Sequence, residues 1–401
     1  MYRLIQGDVG SGKTLVAFFS ILFVAENGGQ SALMVPTDIL AKQHYSNFQK
    51  YTQDLGINTV LLTGKMKANE KNKALQTIKS GEADIIVGTH SLFQKGVIFD
   101  KLELVIIDEQ HKFGVRQRKL LSDKGGDNCD VLLMSATPIP RTLTMTVYGD
   151  MDLSIIKEKP KSRKEVKTYS KLETKIDEVL KFINKEIDND NQIFWVCPLI
   201  EESKKLDHVS AIKKYEFLNK IFPNKVALIH GKTNIEDKEN ILEKFLKKEF
   251  KILVSTTIIE VGIDFPNANI IIIENANKFG LSQLHQLRGR VGRGKKQSTC
   301  ILMFKSSLSE NAKKRLKILK NSTDGFKISE EDMKLRGFGD ILGFKQSGIK
   351  IFKLADPIHN KDLFELAEKE IKSIETNKKN IAKYKTLMKL YDQADVINDI
   401  V

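Results

Sequence analysis

Gly7-Asp-Val-Gly-Ser-Gly-Lys13-Thr14 decides how this chain folds. The stretch fits G-x-x-x-x-G-K-[S/T] and stands between a run with strand character, Arg3 to Gln6, and a helical stretch that begins at Leu15. A strand that turns through glycines directly into a helix is a cradle for phosphate. Gly7, Gly10 and Gly12 let successive backbone N–H groups turn inward, and the helix N-terminus adds its dipole. Lys13 reaches the β and γ oxygens, Thr14 ligates Mg²⁺, and Asp8 and Ser11 lie in the same phosphate-wrapping loop. Such a loop belongs to an α/β domain with a parallel sheet.

Working outward, short β-rich runs recur at Ser31 to Val35, Asp84 to Gly88, Leu104 to Ile107 and Val131 to Ser135, with helical patterns such as Leu15 to Glu26 and Ile39 to Lys50 among them. That alternation predicts strands covered by helices. The charged, Pro-containing stretch Lys157-Glu-Lys-Pro-Lys-Ser-Arg-Lys164 interrupts it and reads as a linker. The rhythm then resumes, with strands at Ile193 to Leu199, Val226 to His230, Ile252 to Ser255, Ile270 to Glu274 and Cys300 to Phe304, and helices at Ser203 to Ile221, Ile235 to Lys248 and Leu281 to Val291. Past about residue 305 the strand signal fades, and Lys305 to Leu354 hold 12 Lys/Arg against 6 Asp/Glu, a helical and basic tail. The expected organisation is an α/β domain over 1–156, a linker over 157–166, a second α/β domain over 167–305 and a helical segment over 306–401. Two such lobes leave a cleft between them.

The composition narrows the classes. With 401 residues, 41% of them hydrophobic and 29% charged, and only 8 Pro, the chain is globular, neither collagen-like nor disordered. Its three cysteines, Cys129, Cys197 and Cys300, are too scattered for a disulfide framework or a zinc site. No apolar run approaches the roughly 20 residues that span a bilayer, and no secretory signal opens the sequence, so a cytoplasmic protein without a membrane partner is expected. A net charge of +14 favours polyanionic partners, nucleic acid among them.

Two further clusters supply chemistry. Asp108-Glu109-Gln110-His111 stands at the carboxyl end of the apolar run Leu104 to Ile107, where ligands of open α/β sheets bind. Asp108 is placed to hold Mg²⁺ and Glu109 to polarise an attacking water, with a relay role for His111. In the second half, Gln286-Leu-Arg-Gly-Arg290-Val-Gly-Arg293 gathers three arginines at the end of a helix. A planar, permanently charged guanidinium suits a γ-phosphate in its transition state, so Arg290 and Arg293 are candidate arginine fingers. Gly262 and Asp264, at the end of another strand, are candidates for contact with nucleotide or nucleic-acid backbone.

In their order along the chain, the phosphate loop, Asp108 to His111, Ser135-Ala-Thr137 and the glycine–arginine cluster resemble superfamily 2 helicases across the first 300 residues. The stretches Ala32 to Tyr45, Gly88-Thr-His90, Phe113 to Arg118, Ala136 to Leu143, Trp195 to Ser203 and Ile273 to Ala276 look like the RecG family within that superfamily. Gly325 to Gly348 is similar to the translocation motif that RecG shares with the transcription-repair coupling factor, although Phe338 stands where the family often has Pro. The resemblance implies tandem RecA-like domains with ATP and Mg²⁺ between them, Gly262, Asp264 and Gln286 among the ATP contacts, and coupling roles for His111, Ser135 and Thr137. It implies that Arg336 and Gln346 link hydrolysis to movement on duplex DNA. The implied activity is that of a monomeric double-strand DNA translocase that remodels Holliday junctions and stalled forks through backbone contacts. The alternatives are the motor of a coupling factor and a DNA-binding remnant without turnover. Because the chain begins about five residues before its loop, the family's branch-splitting wedge domain and adenine-recognising segment are expected to be absent. A separate wedge-domain chain or a single-strand binding protein is then an expected partner.

Overall fold

The first strand, β1 (Tyr2–Gly7), runs into the phosphate loop and α1 (Lys13–Glu26). The structure is a computed structural model that describes residues 1–110, 113, 120–126, 128–136, 151–158, 160, 164–198, 204–256, 265–292, 294, 296–336, 360, 362–363, 366–367 and 369–371. Within them the chain forms two α/β lobes, each around a sheet whose recorded pairings are all parallel.

In the first lobe, α1 leads to β2 (Gln30–Met34), α2 (Asp38–Thr52), β3 (Thr59–Leu62), α3 (Ala68–Lys79), β4 (Ile85–Gly88), β5 (Leu102–Ile107), β6 (Asp130–Ser135) and β7 (Asp152–Ile156). The strands order as β3-β4-β2-β5-β6-β1-β7. Alternate residues of each strand feed opposite faces. Ile5, Leu33, Ile106 and Met134 pack with Phe18 and Ile21 of α1 and Phe48 of α2, whereas Leu4, Ala32, Val105 and Leu133 pack with Ala74 and Ile78 of α3. Burial on both faces is why the central strands read as unbroken apolar runs.

The second lobe contains β8 (Lys167–Leu172), α4 (Ile176–Asp188), β9 (Gln192–Val196), α5 (Lys204–Ile221), β10 (Val226–Ile229), α6 (Ile235–Leu246), β11 (Ile252–Ser255), β12 (Ala268–Ile273), α7 (Leu281–Arg288) and β13 (Thr299–Phe304). Their order is β10-β11-β9-β12-β13-β8. Two helices follow, α8 (Glu310–Asn321) and α9 (Gly325–Arg336). They pack against α7 and each other; most of the segment read as helical over 306–401 lies outside the described residues. No described helix is long and apolar enough to cross a membrane.

Both sheets direct their carboxyl strand ends to the loops that carry the motifs. β1 delivers the phosphate loop, β5 delivers Asp108 and Glu109, and β6 delivers Ser135, which lies in register with Gln6 of β1. In the second lobe α7 carries Gln286 and ends beside Arg290.

Candidate nucleotide site between the lobes

The loop after β1 is shaped by glycines in the left-handed region, Gly10 at φ 73° and Gly12 at φ 95°, which only glycine adopts without strain. Gly12 is the N-cap of α1, and that helix has neither a side-chain cap nor an acidic residue in its first turn. The positive dipole end of α1 therefore meets the loop without a compensating acidic side chain of its own. Lys13 is buried; its Nζ donates to the carbonyls of Gly7 (2.8 Å) and Asp8 (3.0 Å), which hold the ammonium over the loop. Ser11 Oγ is buried with no hydrogen-bond partner among the described residues, a polar atom that a bound phosphate would satisfy.

Asp108 and Glu109 follow β5 directly. The Glu109 N–H donates to Asp108 Oδ1 (2.9 Å), and Glu109 itself holds a left-handed backbone at φ 50°, a strained conformation for a residue with a β-carbon. Burial raises the Asp108 pKa, but the neighbouring His44 and the Lys13 ammonium outweigh it and hold the carboxyl below its ordinary value. His44 Nε2 lies 3.6 Å from Asp108 Oδ2, an electrostatic contact too long for a hydrogen bond. Glu109 behaves oppositely. Burial, reinforced by the charge of Asp108, pushes it up to about 6 against the pull of Arg290 and Lys13. Two adjacent carboxyls are thus driven apart, one kept ionised and one poised near neutrality, the pattern of a charge-holder beside a proton acceptor.

The second lobe closes over this site. Arg290 is buried and acts electrostatically on Glu109, while Gly289 packs so closely on Val9 that a β-carbon there would lie 3.0 Å from the Val9 side chain. The structure thus draws together Gly7, Asp8, Gly10, Ser11, Gly12, Lys13 and Thr14 of the loop with Asp108, Glu109 and, from the other lobe, Arg290. Gln286 is half-buried on α7, and Ser135 is buried at the end of β6. The next residue, Ala136, hydrogen-bonds Glu109 through its backbone. Gly262, Asp264, His111, Thr137, Arg293 and Gln346 lie outside the described residues, as does the side chain of Arg336, the last residue of α9. Among the described residues no cluster of three or more His, Cys, Asp or Glu is placed to hold a metal.

Two residues of the site carry little sequence signal. His44 lies within the family-like stretch 32–45, but only the fold brings it to Asp108. His285 lies in the apolar pattern of α7, and its Nε2 meets Asp8 Oδ1 of the phosphate loop at 2.8 Å. A polar residue on the buried face of a helix was the available clue, since Leu281, Leu284 and Leu287 around it are core.

Comparison with known proteins agrees along the length of the chain. Residues 3–146 match the family model for DEAD/DEAH box helicases, residues 174–295 the helicase conserved C-terminal domain, and residues 322–393 domain 3, C-terminal, of the ATP-dependent DNA helicase RecG. The chain is 49% identical to the ATP-dependent DNA helicase RecG of Bacillus subtilis, over 92% of this chain and 54% of that protein. It is 48% identical to RecG of Aquifex aeolicus, over 97% of this chain and 50% of that one. A solved structure of RecG bound to a three-way DNA junction superposes with a TM-score of 0.76 at 45% identity, over 91% of this chain and 47% of that one. The chain therefore spans about half the length of the relatives it matches.

Proposed function

The chain belongs, over its helicase portion, to the RecG family, and from that premise we propose that it is an ATP-hydrolysing motor that moves on double-stranded DNA and remodels branched DNA such as Holliday junctions and stalled forks. The observation that carries this reading is the convergence, across the lobe boundary, of Lys13, Asp108 and Glu109 from one lobe with Arg290 from the other. A site divided between two lobes makes hydrolysis depend on their approach, which is what a motor needs.

In this reading the first RecA-like lobe covers residues 1–156 and the second 167–305, joined by 157–166, with the translocation segment over 306–401. ATP is the substrate. Its phosphates lie on the N–H groups of the loop and the start of α1, Ser11 Oγ gains a partner, and Lys13 turns from the Gly7 and Asp8 carbonyls to phosphate oxygen. Thr14 and Asp108 would hold Mg²⁺, which would neutralise charge at the phosphates. Glu109 accepts a proton from the attacking water, for which its raised pKa suits it. Arg290, with Arg293, places positive charge where the γ-phosphoryl group gains negative charge. Gln286, Gly262 and Asp264 complete the ATP contacts, and His111, Ser135, Thr137, Arg336 and Gln346 pass the lobe movement to DNA. The relative solved on a three-way junction supports branched DNA as the substrate class.

The test is steady-state ATP hydrolysis by this chain without DNA, with linear duplex and with a four-way junction, beside Lys13→Ala. DNA-stimulated turnover that the substitution abolishes is expected. Turnover indifferent to both DNA and Lys13→Ala would end the motor reading.

A further inference from the structure

Asp8, His285 and Arg288 are all buried, and they form one chain of contacts from the phosphate loop to the carboxyl end of α8. Asp8 Oδ1 accepts the N–H of Val9 (2.7 Å), which ties the carboxylate to the backbone of the loop. The same oxygen meets His285 Nε2 across the lobe boundary. On its other side the imidazole Nδ1 lies 2.9 Å from an Arg288 terminal nitrogen. A guanidinium only donates, so Nδ1 is the acceptor and Nε2 carries the hydrogen that it gives to Asp8. Arg288 then donates through its other terminal nitrogen to the carbonyls of Leu319 (2.7 Å) and Ser322 (2.8 Å) at the end of α8. Cations at helix carboxyl ends are favourable, and this one is also the far end of a relay.

Two more anchors make α7 a lever rather than a bystander. Ser282 in its first turn donates through N–H (3.3 Å) and Oγ (2.6 Å) to Asp332 of α9. Arg315 of α8 donates to the carbonyls of Phe279 (2.6 Å) and Asn277 (3.2 Å), just before α7. These contacts tie both ends of α7 and the turn before it to α8 and α9. Lys13, which donates to the Asp8 carbonyl, connects the nucleotide to this chain at its start.

We infer that His285 is a positioning residue that transmits the state of the phosphate loop, through Asp8 on one side and Arg288 on the other, to the α8–α9 pair. The inference rests on the nucleotide site proposed above and adds the route by which that site moves the C-terminal helices. His285 touches no reacting atom. Its work is to tie the loop to α7 with one donor and one acceptor.

The experiment is hydrogen exchange, read peptide by peptide on the full chain, for the parent protein, Asp8→Ala, His285→Ala and His285→Gln. Without nucleotide, Asp8→Ala should raise exchange across residues 310–332 several-fold although the substitution lies in the other lobe. With a non-hydrolysable ATP analogue and Mg²⁺, the parent should change its exchange both at the loop and across 310–332. His285→Ala should keep the loop response and lose the distant one. His285→Gln, which still offers a donor and an acceptor, should recover at least half of it. Unchanged exchange across 310–332 in Asp8→Ala, or a full distant response in His285→Ala, overturns the relay. A parent chain that takes up no nucleotide sinks the ATP-motor reading instead, and the nucleotide-free Asp8→Ala comparison still decides the relay.

Discussion

Glu109 bears opposing demands at a single position. Burial and the adjacent Asp108 charge raise its pKa from 4.5 to about 6. A carboxyl whose folded pKa lies above its unfolded value binds protons more tightly in the fold, so it contributes stability below pH 4.5 that is lost as pH rises through 6. At pH 8 the ionised side chain then costs about 2 kcal/mol relative to a neutral one. Glu109→Gln keeps the shape and removes the charge. In EDTA and without nucleotide, it should be more stable than the parent by about 1–2 kcal/mol at pH 8, and the difference should fade below pH 5. Urea denaturation at the two pH values measures this; a gap that is the same at both would show that the buried charge is not its source. If Glu109 is the proton acceptor proposed above, the same substitution should lower ATP hydrolysis by a factor of about 100 or more. Stability surrendered for chemistry is the expected mark of a functional carboxyl.

At the scale of elements, α7 and its flanking turn govern how the lobes meet. Gly289 sits against Val9, and a branched side chain there has no room. Gly289→Val should hold the lobes apart and reduce DNA-stimulated hydrolysis at least tenfold, while each lobe stays folded by circular dichroism and thermal melting. Unimpaired turnover would mean that this contact does not limit closure. At the other end of the helix, Asp332→Ala leaves the Ser282 hydroxyl and N–H without their acceptor and should destabilise the protein by about 1–3 kcal/mol, read in a thermal melt. The legibility of these elements followed their burial. Central strands such as Ala268–Ile273, buried at every position, announce themselves in sequence, and the glycine-rich loop after β1 is chemically unmistakable. The sequence reading names none of β3, β7, β8, α3 and α4. Of these, β8 (Lys-Thr-Tyr-Ser-Lys-Leu) is an edge strand half open to water, so it lacks an apolar run. The case of α4 is different: Val179, Ile183 and Ile187 recur at helical spacing on its buried face, so the signal for this helix is present in the sequence. The contacts of His44 and His285 are long-range, 64 and 277 residues from their partners, and no local pattern encodes such a distance.

For the whole molecule, the described contacts across the lobe boundary include Asp8 with His285, Val9 with Gly289, Arg290 with Glu109, and an exposed ion pair between Lys65 and Glu239 at 3.0 Å. An exposed pair of this kind is worth at most about 1 kcal/mol, so the Lys65–Glu239 pair adds little to the buried contacts around Asp8 and Glu109. The largest long-range force available is the net charge of +14. If DNA is held by its backbone, each neutralised phosphate releases a counterion, and log Kd should rise linearly with log salt at a slope of about 0.9 per contact. With about five contacts, raising salt from about 50 to 200 mM should weaken duplex binding by roughly 500-fold, and duplexes of unrelated sequence should agree within about threefold. Fluorescence anisotropy with labelled duplexes across a salt series measures both, and on the proposed reading, in which bound DNA activates hydrolysis, DNA-stimulated turnover should decline over the same range. A shallow slope, or one sequence bound far more tightly than the rest, would move recognition from phosphates to base edges. A motor must advance over every sequence it meets, and strong base readout would stall it, so that outcome would count against translocation as well as against the assumed mode of binding.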